Sequence, residues 1–244
     1  MIVKVVNPNT TESMTRLIEA SARAAAAPDS KVVAATSRSG PASIESHYDE
    51  ALSVPGLLAE ITGGEQADGF VVACFGDPGL DAAREAAGGP VVGIAEAGMR
   101  AATYLARSFA VVTTLARTRG RAEELVDRYG VRRYCRAVRA CDVPVLELGT
   151  DPEARARILR ECRAAIEQDG AEAIVLGCAG MAELCAGLRA ELGVPVIDGV
   201  AAGVAAVEGL VRLGLSTSRV GEYAPPPAKA YHGALESFAI GAQV

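Results

Sequence analysis

The stretch FVVACFGDPGLDAAREAAGGPVVGIAEAGMRAA, residues 70–102, has a counterpart further along the chain: AIVLGCAGMAELCAGLRAELGVPVIDGVAAGVAAV, residues 173–207. Both run through the same parts in the same order: an apolar run ending in a cysteine, a glycine-containing turn, a short helix-permissive segment, a glycine, a Pro-Val run and an Ala-rich segment. Cys74 precedes Pro90 by 16 positions and Cys178 precedes Pro195 by 17. Short apolar runs bounded by turn residues read as buried strands, and the longer Ala-rich pieces between them as helices. Each copy is then a strand, a helix, a strand and a helix, and two similar lobes account for both.

The same rhythm extends to either side. IVKVV at Ile2, KVVAAT at Lys31 and FAVVTT at Phe109 join GFVVAC at Gly69, PVVGI at Pro90, AIVLGC at Ala173 and VPVID at Val194. Strands alternating with helices predict an α/β fold of two pseudo-symmetric lobes, each a small parallel sheet flanked by helices, with a ligand site between them. The expected lobes are residues 1–103 and 104–212. A tail, 213–244, stops at Pro225-Pro226-Pro227, resumes as a helical segment from Ala228, and is expected to pack back on the first lobe. The piece flanked by Cys135 and Cys141 reads as irregular or as a strand.

Bulk composition narrows the function. Of 244 residues half are apolar, and the formal charge is −6 with no Trp. Arginines scattered among Asp and Glu form no basic stripe that would neutralise phosphates, so nucleic acid is not an expected partner. No basic leader with an apolar run opens the sequence and no run of about 18 apolar residues could span a bilayer. The expected address is the cytoplasm, without membrane attachment. In that setting the six cysteines are reduced thiols. None forms a CxxC pair, and only His47 and His232 offer imidazoles, which gives no metal site. No GxGxxG follows a strand and no GxxxxGK[ST] occurs, so no nucleotide cofactor is expected.

In α/β sheets ligands gather beyond the carboxyl ends of strands. Cys74 and Cys178 hold that place in their halves, 104 positions apart. Cysteine is often a mere buried hydrophobe, but the paired placement argues for chemistry. A helix N-terminus after each thiol would favour thiolate and hold a substrate oxygen, with Asp77 capping the first such helix and Pro78 at its first position. Two thiols on opposite sides of one cleft suit moving a proton from one face of a carbon to the other. Cys135, Cys141, Cys162 and Cys185 read as packing residues. NPNTT, Asn7–Thr11, serves as a helix cap, as amide and hydroxyl contacts to a ligand, or both. Ser43 in the loop GPASIES and Thr113 with Thr114 could line the same cleft. Glu96 and Asp198 are expected helix caps, and His47 an ordinary loop residue.

VNPNT, CFGDPGL and LGCAGM together resemble the hydantoin and allantoin racemases, within the wider aspartate/glutamate racemase superfamily. The resemblance spans most of the chain. It implies a cofactor-independent isomerase, often oligomeric, acting on a small molecule at an interlobe site. It implies Cys74 and Cys178 as acid/base thiols, and the backbone around Phe75, Gly76, Ala179 and Gly180 as holders of ring carbonyls. Asn9, Ser43 and Thr113 match positions that meet the polar edge of the substrate. Hydantoin racemases commonly carry Asp where Gly76 stands. The amino-acid racemases carry Asn-Thr and Thr-His after their cysteines, in place of Phe75-Gly76 and Ala179-Gly180, which favours a ring imide over free aspartate or glutamate.

The leading expectation is racemisation of 5-substituted hydantoins, with allantoin a candidate among them, by proton transfer at C5 between two cysteines. Within the superfamily the alternatives are an amino-acid racemase or a dicarboxylate isomerase or decarboxylase. A non-catalytic small-molecule-binding module stands outside it.

Overall fold

The computed structural model describes residues 1–239. Its first sheet contains β1 (Ile2–Asn7), β2 (Lys31–Thr36), β3 (Gly69–Val72) and β4 (Val91–Gly93), with α1 (Glu12–Ala25), α2 (His47–Thr62) and α3 (Leu80–Ala86) between them. α4 (Ile94–Leu105) leads to the second, of β5 (Phe109–Thr113), β6 (Cys135–Ala140), β7 (Ile174–Gly177) and β8 (Val196–Ile197). α5 (Arg119–Arg128), α6 (Ala154–Glu167) and α7 (Cys185–Leu192) connect these strands and α8 (Gly199–Arg212) follows the last. All strand pairs are parallel. The strand orders, β2-β1-β3-β4 and β6-β5-β7-β8, are the same arrangement used twice. This is the expected two-lobed α/β fold.

The runs read as strands are strands. The one the apolar pattern does not single out is β6, CRAVRA, an edge strand whose Arg136 and Arg139 interrupt the hydrophobic signal. Edge strands have one unpaired side facing solvent and tolerate such charges.

Four apolar clusters cover the four sheet faces. α2 and α3 place Leu57, Ile61, Leu80 and Ala83 against Val6, Phe70 and Val72. α6 and α7 place Ile158, Cys162, Cys185 and Leu188 against Val112, Ile174 and Leu176. On the remaining two faces the lobes exchange helices. α4 leaves the first sheet yet packs Ala95, Met99 and Ala102 with Phe109, Val111 and Val175 of the second. α8 leaves the second sheet yet packs Val200, Val204 and Val207 with Val3, Val5 and Val71 of the first, beside Met14, Ile18 and Ala22 of α1.

Where α4 and α8 cross, side chains would not fit. A β-carbon at Gly199 would stand 2.5 Å from the carbonyl oxygen of Ile94, and one at Gly98 would stand 3.1 Å from Val175 Cγ1 and 3.5 Å from Gly199 Cα. The expected lobe boundaries group each helix with the sheet before it in sequence; in space α4 and α8 each also pack on the opposite sheet.

The tail returns to the first half of the chain. Thr217 Oγ1 donates to the Gly89 carbonyl at 3.3 Å, the Arg219 guanidinium reaches the carbonyls of Glu85 and Ala87, and the Tyr223 hydroxyl donates to Asp81 Oδ1 at 3.0 Å. Ala228–His232 have no regular structure, and a 3-10 turn, Gly233–Phe238, stands where a helix from Ala228 was expected. Residues 240–244 of that tail lie outside the described residues. Among the described residues no helix is long and apolar enough to cross a membrane.

Candidate active site

Cys74 follows β3 in a turn fixed from several directions. The Asp77 amide donates to the Cys74 carbonyl at 2.9 Å, and Asp77 sits at φ 45°, a left-handed conformation that Asp tolerates better than most residues. Its carboxylate does not cap α3, whose N-cap is Gly79. It caps α4 instead, accepting from the amides of Ala95 and Glu96 at 3.1 and 3.0 Å, and also takes the Tyr129 hydroxyl at 2.6 Å. The sequence expectation of a local cap fails because Gly79 and the left-handed Asp77 turn that carboxylate across to β4's end. A β-carbon at Gly93 would collide with it at 2.2 Å. Phe75 is buried in the cluster of the second sheet, with Met99 and Leu125.

Cys178 follows β7 as the N-cap of a 3-10 turn, Ala179–Leu184, and Met181 N–H donates to its carbonyl at 3.1 Å. Ala179 is buried in the cluster of the first sheet, with Met14 and Val145. Each cysteine turn thus anchors its next residue in the other lobe's core.

Both thiols open on one cavity of about 120 Å³. Asn9, Cys74, Phe75, Gly76, Thr113, Cys178 and Ala179 line it, with Ala73 and Gly177 at the two strand ends. Asn9 is held by the NPNTT network: Asn7 Nδ2 donates to Asn9 Oδ1 at 2.8 Å, and Thr11 N–H donates to the same oxygen at 2.9 Å. Two expected residues stand just off the wall. Ser43 donates to Glu45 Oε2 at 2.9 Å, and it is Glu45 that lines the cavity. Gly180 acts from behind Cys178, its β-carbon position 3.7 Å from the sulfur.

The protein-family model for Asp/Glu/hydantoin racemases matches residues 3–207. The chain belongs to that family. It is 52% identical to the hydantoin racemase of Pseudomonas sp. (strain NS671), over 98% of this chain and 97% of that one. It is 50% identical to the hydantoin racemase of Rhizobium meliloti, over 96% and 98%. The solved allantoin racemase from Klebsiella pneumoniae superposes with a TM-score of 0.96 at 49% identity, over 98% of this chain and 99% of that one. As a member of the racemase family the chain is an isomerase.

Family membership makes the state of the two thiols the central electrostatic question. Burial pushes Cys74 up to about 12, opposed by a hydrogen bond from the Gly76 amide and reinforced by Cys178, Asp77 and Glu50. Burial pushes Cys178 up to about 12 as well, opposed by the Gly180 amide. This reverses the expectation of thiolates favoured by helix ends. α3 starts only at Leu80 and α7 only at Cys185, so one amide apiece works against desolvation.

The racemase cavity has a second, charged wall, of which the Arg117, Thr118 and Arg121 side carries no sequence signal. Glu45, Ser46, His47 and Glu50 come from the start of α2 and the loop before it; Arg117 and Thr118 come from the 3-10 turn before α5, and Arg121 from the first turn of α5. His47 is therefore a wall residue and opens α2. Two contacts join the walls. Glu45 Oε1 accepts from the Val145 amide at 2.8 Å, and Arg121 Nη2 meets Glu50 Oε1 at 2.6 Å. Arg121 Nη2 also donates to the Gly76 carbonyl at 2.9 Å. Burial raises Glu50, with Arg121 and His47 opposing. No sequence pattern ties these residues together.

The expected caps and bland cysteines divide cleanly. Asp198 caps α8 through Val200 N–H at 2.8 Å. Glu96 instead pairs with Arg84 at 2.5 Å, because Asp77 already caps α4. Cys141, Cys162 and Cys185 are buried in the second lobe. Among the described residues no cluster of three His, Cys, Asp or Glu could hold a metal ion.

Proposed function

We propose that this racemase inverts C5 of 5-substituted hydantoins, allantoin among them, with Cys74 and Cys178 as its two acid/base groups. The observation that carries the reading is the placement of two thiols at equivalent strand ends, β3 and β7, on one small cavity. One sulfur, as thiolate, takes the C5 proton. The electron pair left on C5 delocalises into the adjoining carbonyl, and the resulting oxyanion is met by backbone amides of the Phe75-Gly76 and Ala179-Gly180 turns. The opposite thiol then gives its proton to the other face of C5. Substrate has gained and lost one proton, and thiol and thiolate have changed places, so the enzyme is ready for the reverse direction.

A desolvated thiolate is a strong base, which suits a weakly acidic C–H. Asn9 and Thr113 line the wall where the polar ring edge would lie, with Ser43 acting through Glu45. No cofactor enters the scheme. All six cysteines are free thiols, which supports a cytoplasmic address. The exposed Tyr104, Leu213 and Leu215 share one surface groove, which supports a homo-oligomer. The working units of the scheme are lobes 1–103 and 104–212, with the tail on the first.

The test follows optical rotation and C5 deuteration of single-enantiomer allantoin and 5-benzylhydantoin in deuterated buffer, against a blank without enzyme. Racemisation above the blank that disappears in both Cys74→Ser and Cys178→Ser is the expected result. Full activity in the double variant would refute the two-thiol scheme. Turnover of aspartate, glutamate or a dicarboxylate instead would move the substrate class elsewhere in the superfamily, and binding without C5 exchange would leave a binding module.

A further inference from the structure

α5 reaches the turn of Cys74 from both of its ends. From the first turn of the helix, Arg121 Nη2 donates to the Gly76 carbonyl at 2.9 Å; from just past its last residue, the Tyr129 hydroxyl donates to Asp77 Oδ2 at 2.6 Å. Between these two points lies the peptide group joining Gly76 to Asp77, whose N–H donates to the Cys74 carbonyl at 2.9 Å. Its oxygen and its hydrogen are therefore both bonded, and it cannot rotate without breaking one bond or the other. The amide before it, that of Gly76, is the group that meets the Cys74 sulfur. The Tyr129 and Asp77 side chains are buried, where a hydrogen bond is stronger than it is in water.

The pseudo-symmetric mate is built differently. α1 follows β1 as α5 follows β5, yet it meets the Cys178 turn with an apolar side chain: Met14 Cε stands 4.0 Å from the position a β-carbon at Gly180 would take, with Leu148 Cδ1 at 3.0 Å. Met181 holds the place of Asp77, three residues after the cysteine, and is buried with Leu176 and Leu188. Among the described residues no side chain caps that turn. One thiol's turn is thus set by directional bonds and the other's by packing. A hydrogen bond fixes an angle, which apolar contact does not, and a displacement of about 1 Å at a reacting group costs on the order of 100-fold in rate.

We propose that Arg121 and Tyr129 are positioning residues for Cys74 alone, holding its turn at the angle its proton transfer needs, while Cys178 works independently of them. The two half-reactions then respond separately to substitutions at the ends of one helix. The inference rests on the two-thiol reading above.

The test measures kcat/KM for C5 deuterium exchange of each enantiomer of allantoin and of 5-benzylhydantoin, by NMR in deuterated buffer, in two single-thiol parents. Cys178→Ser leaves exchange to Cys74, and Cys74→Ser leaves it to Cys178. Tyr129→Phe and, separately, Arg121→Lys are added to each parent; lysine keeps a cation for Glu50 without the planar fork that meets Gly76. Rates are taken per folded molecule, the folded fraction being read by circular dichroism. Each substitution is expected to slow the Cys74 parent at least about tenfold and to leave the Cys178 parent within about twofold. Equal losses in the two parents would show a general effect on cavity shape and overturn the assignment, as would an undiminished rate in the Cys74 parent. Exchange by neither parent overturns the two-thiol reading and this inference with it.

Discussion

The hydroxyl of Tyr129, just past the end of α5, donates to Oδ2 of Asp77 at 2.6 Å, and both groups are buried. That bond fastens the second lobe to the turn carrying Cys74. The same carboxylate caps α4, a helix that packs on the sheet leading to Cys178. One side chain therefore sets the turn of one thiol against a helix supporting the other.

Removing it in steps gives graded losses. Tyr129→Phe is expected to cost about 1.5–3 kcal/mol in urea unfolding, one hydrogen bond to a charged group. Asp77→Ala strands two buried amides and the Tyr129 hydroxyl and is expected to cost more, about 2–4 kcal/mol. Burial pushes Asp77 up to about 6 against its hydrogen bonds, so the folded state holds this proton more tightly than the unfolded state does. The stabilisation from the protonated form is complete below about 4 and lost as pH rises through about 6. The stability advantage of wild type over Asp77→Asn should shrink across that window; an advantage that grows there contradicts the sign.

Catalysis should climb with pH. With burial pushing both sulfurs up to about 12, the working form of the proposed scheme, with one proton removed, grows in population as pH rises. Log kcat/KM is expected to rise with a slope near one from about pH 6 to 9. A plateau beginning below pH 7 would show a thiol far more acidic than its burial allows.

Single-cysteine variants should separate the two faces of the substrate. Cys74→Ser keeps one thiol, so deuterium is expected to enter C5 of one enantiomer without inversion, and Cys178→Ser should act on the other enantiomer. Equal exchange of both enantiomers by one variant, read by NMR, would contradict bases on opposite faces.

The α4–α8 crossing should be intolerant of a methyl group. Gly199→Ala places a β-carbon against a backbone oxygen that cannot swing aside, with an expected loss of about 1–3 kcal/mol in thermal or denaturant unfolding. Gly209→Ala is the control, since its β-carbon would meet nothing within 4 Å.

Local signals carried the architecture and the thiols. Runs such as IVKVV and AIVLGC announce strands because apolar residues cluster within a few positions, and the repeated cysteine, turn and Pro-Val order gives Cys74 and Cys178 equivalent places in the two halves. What stayed hidden depends on contacts between distant residues. Asp77 reads as a cap for the helix next to it and serves one further on. Glu50 and Arg121 stand far apart in the sequence, on α2 and α5, and meet only when the lobes face each other. The burial that opposes thiolate at both sulfurs is not legible either, because a sequence shows a following helix but not its depth.

The exchanged helices govern the order in which the molecule can be made. When β4 leaves the ribosome, the face of its sheet holding Val3, Val5 and Val71 still awaits Val200, Val204 and Val207. At ordinary synthesis speeds that delay is on the order of ten seconds. Through that interval the nascent first half holds an uncovered apolar surface, while α4 waits for a sheet not yet translated. Each half completes its core with a helix from the other, so the cavity with both thiols assembles only after almost the whole chain has been synthesised.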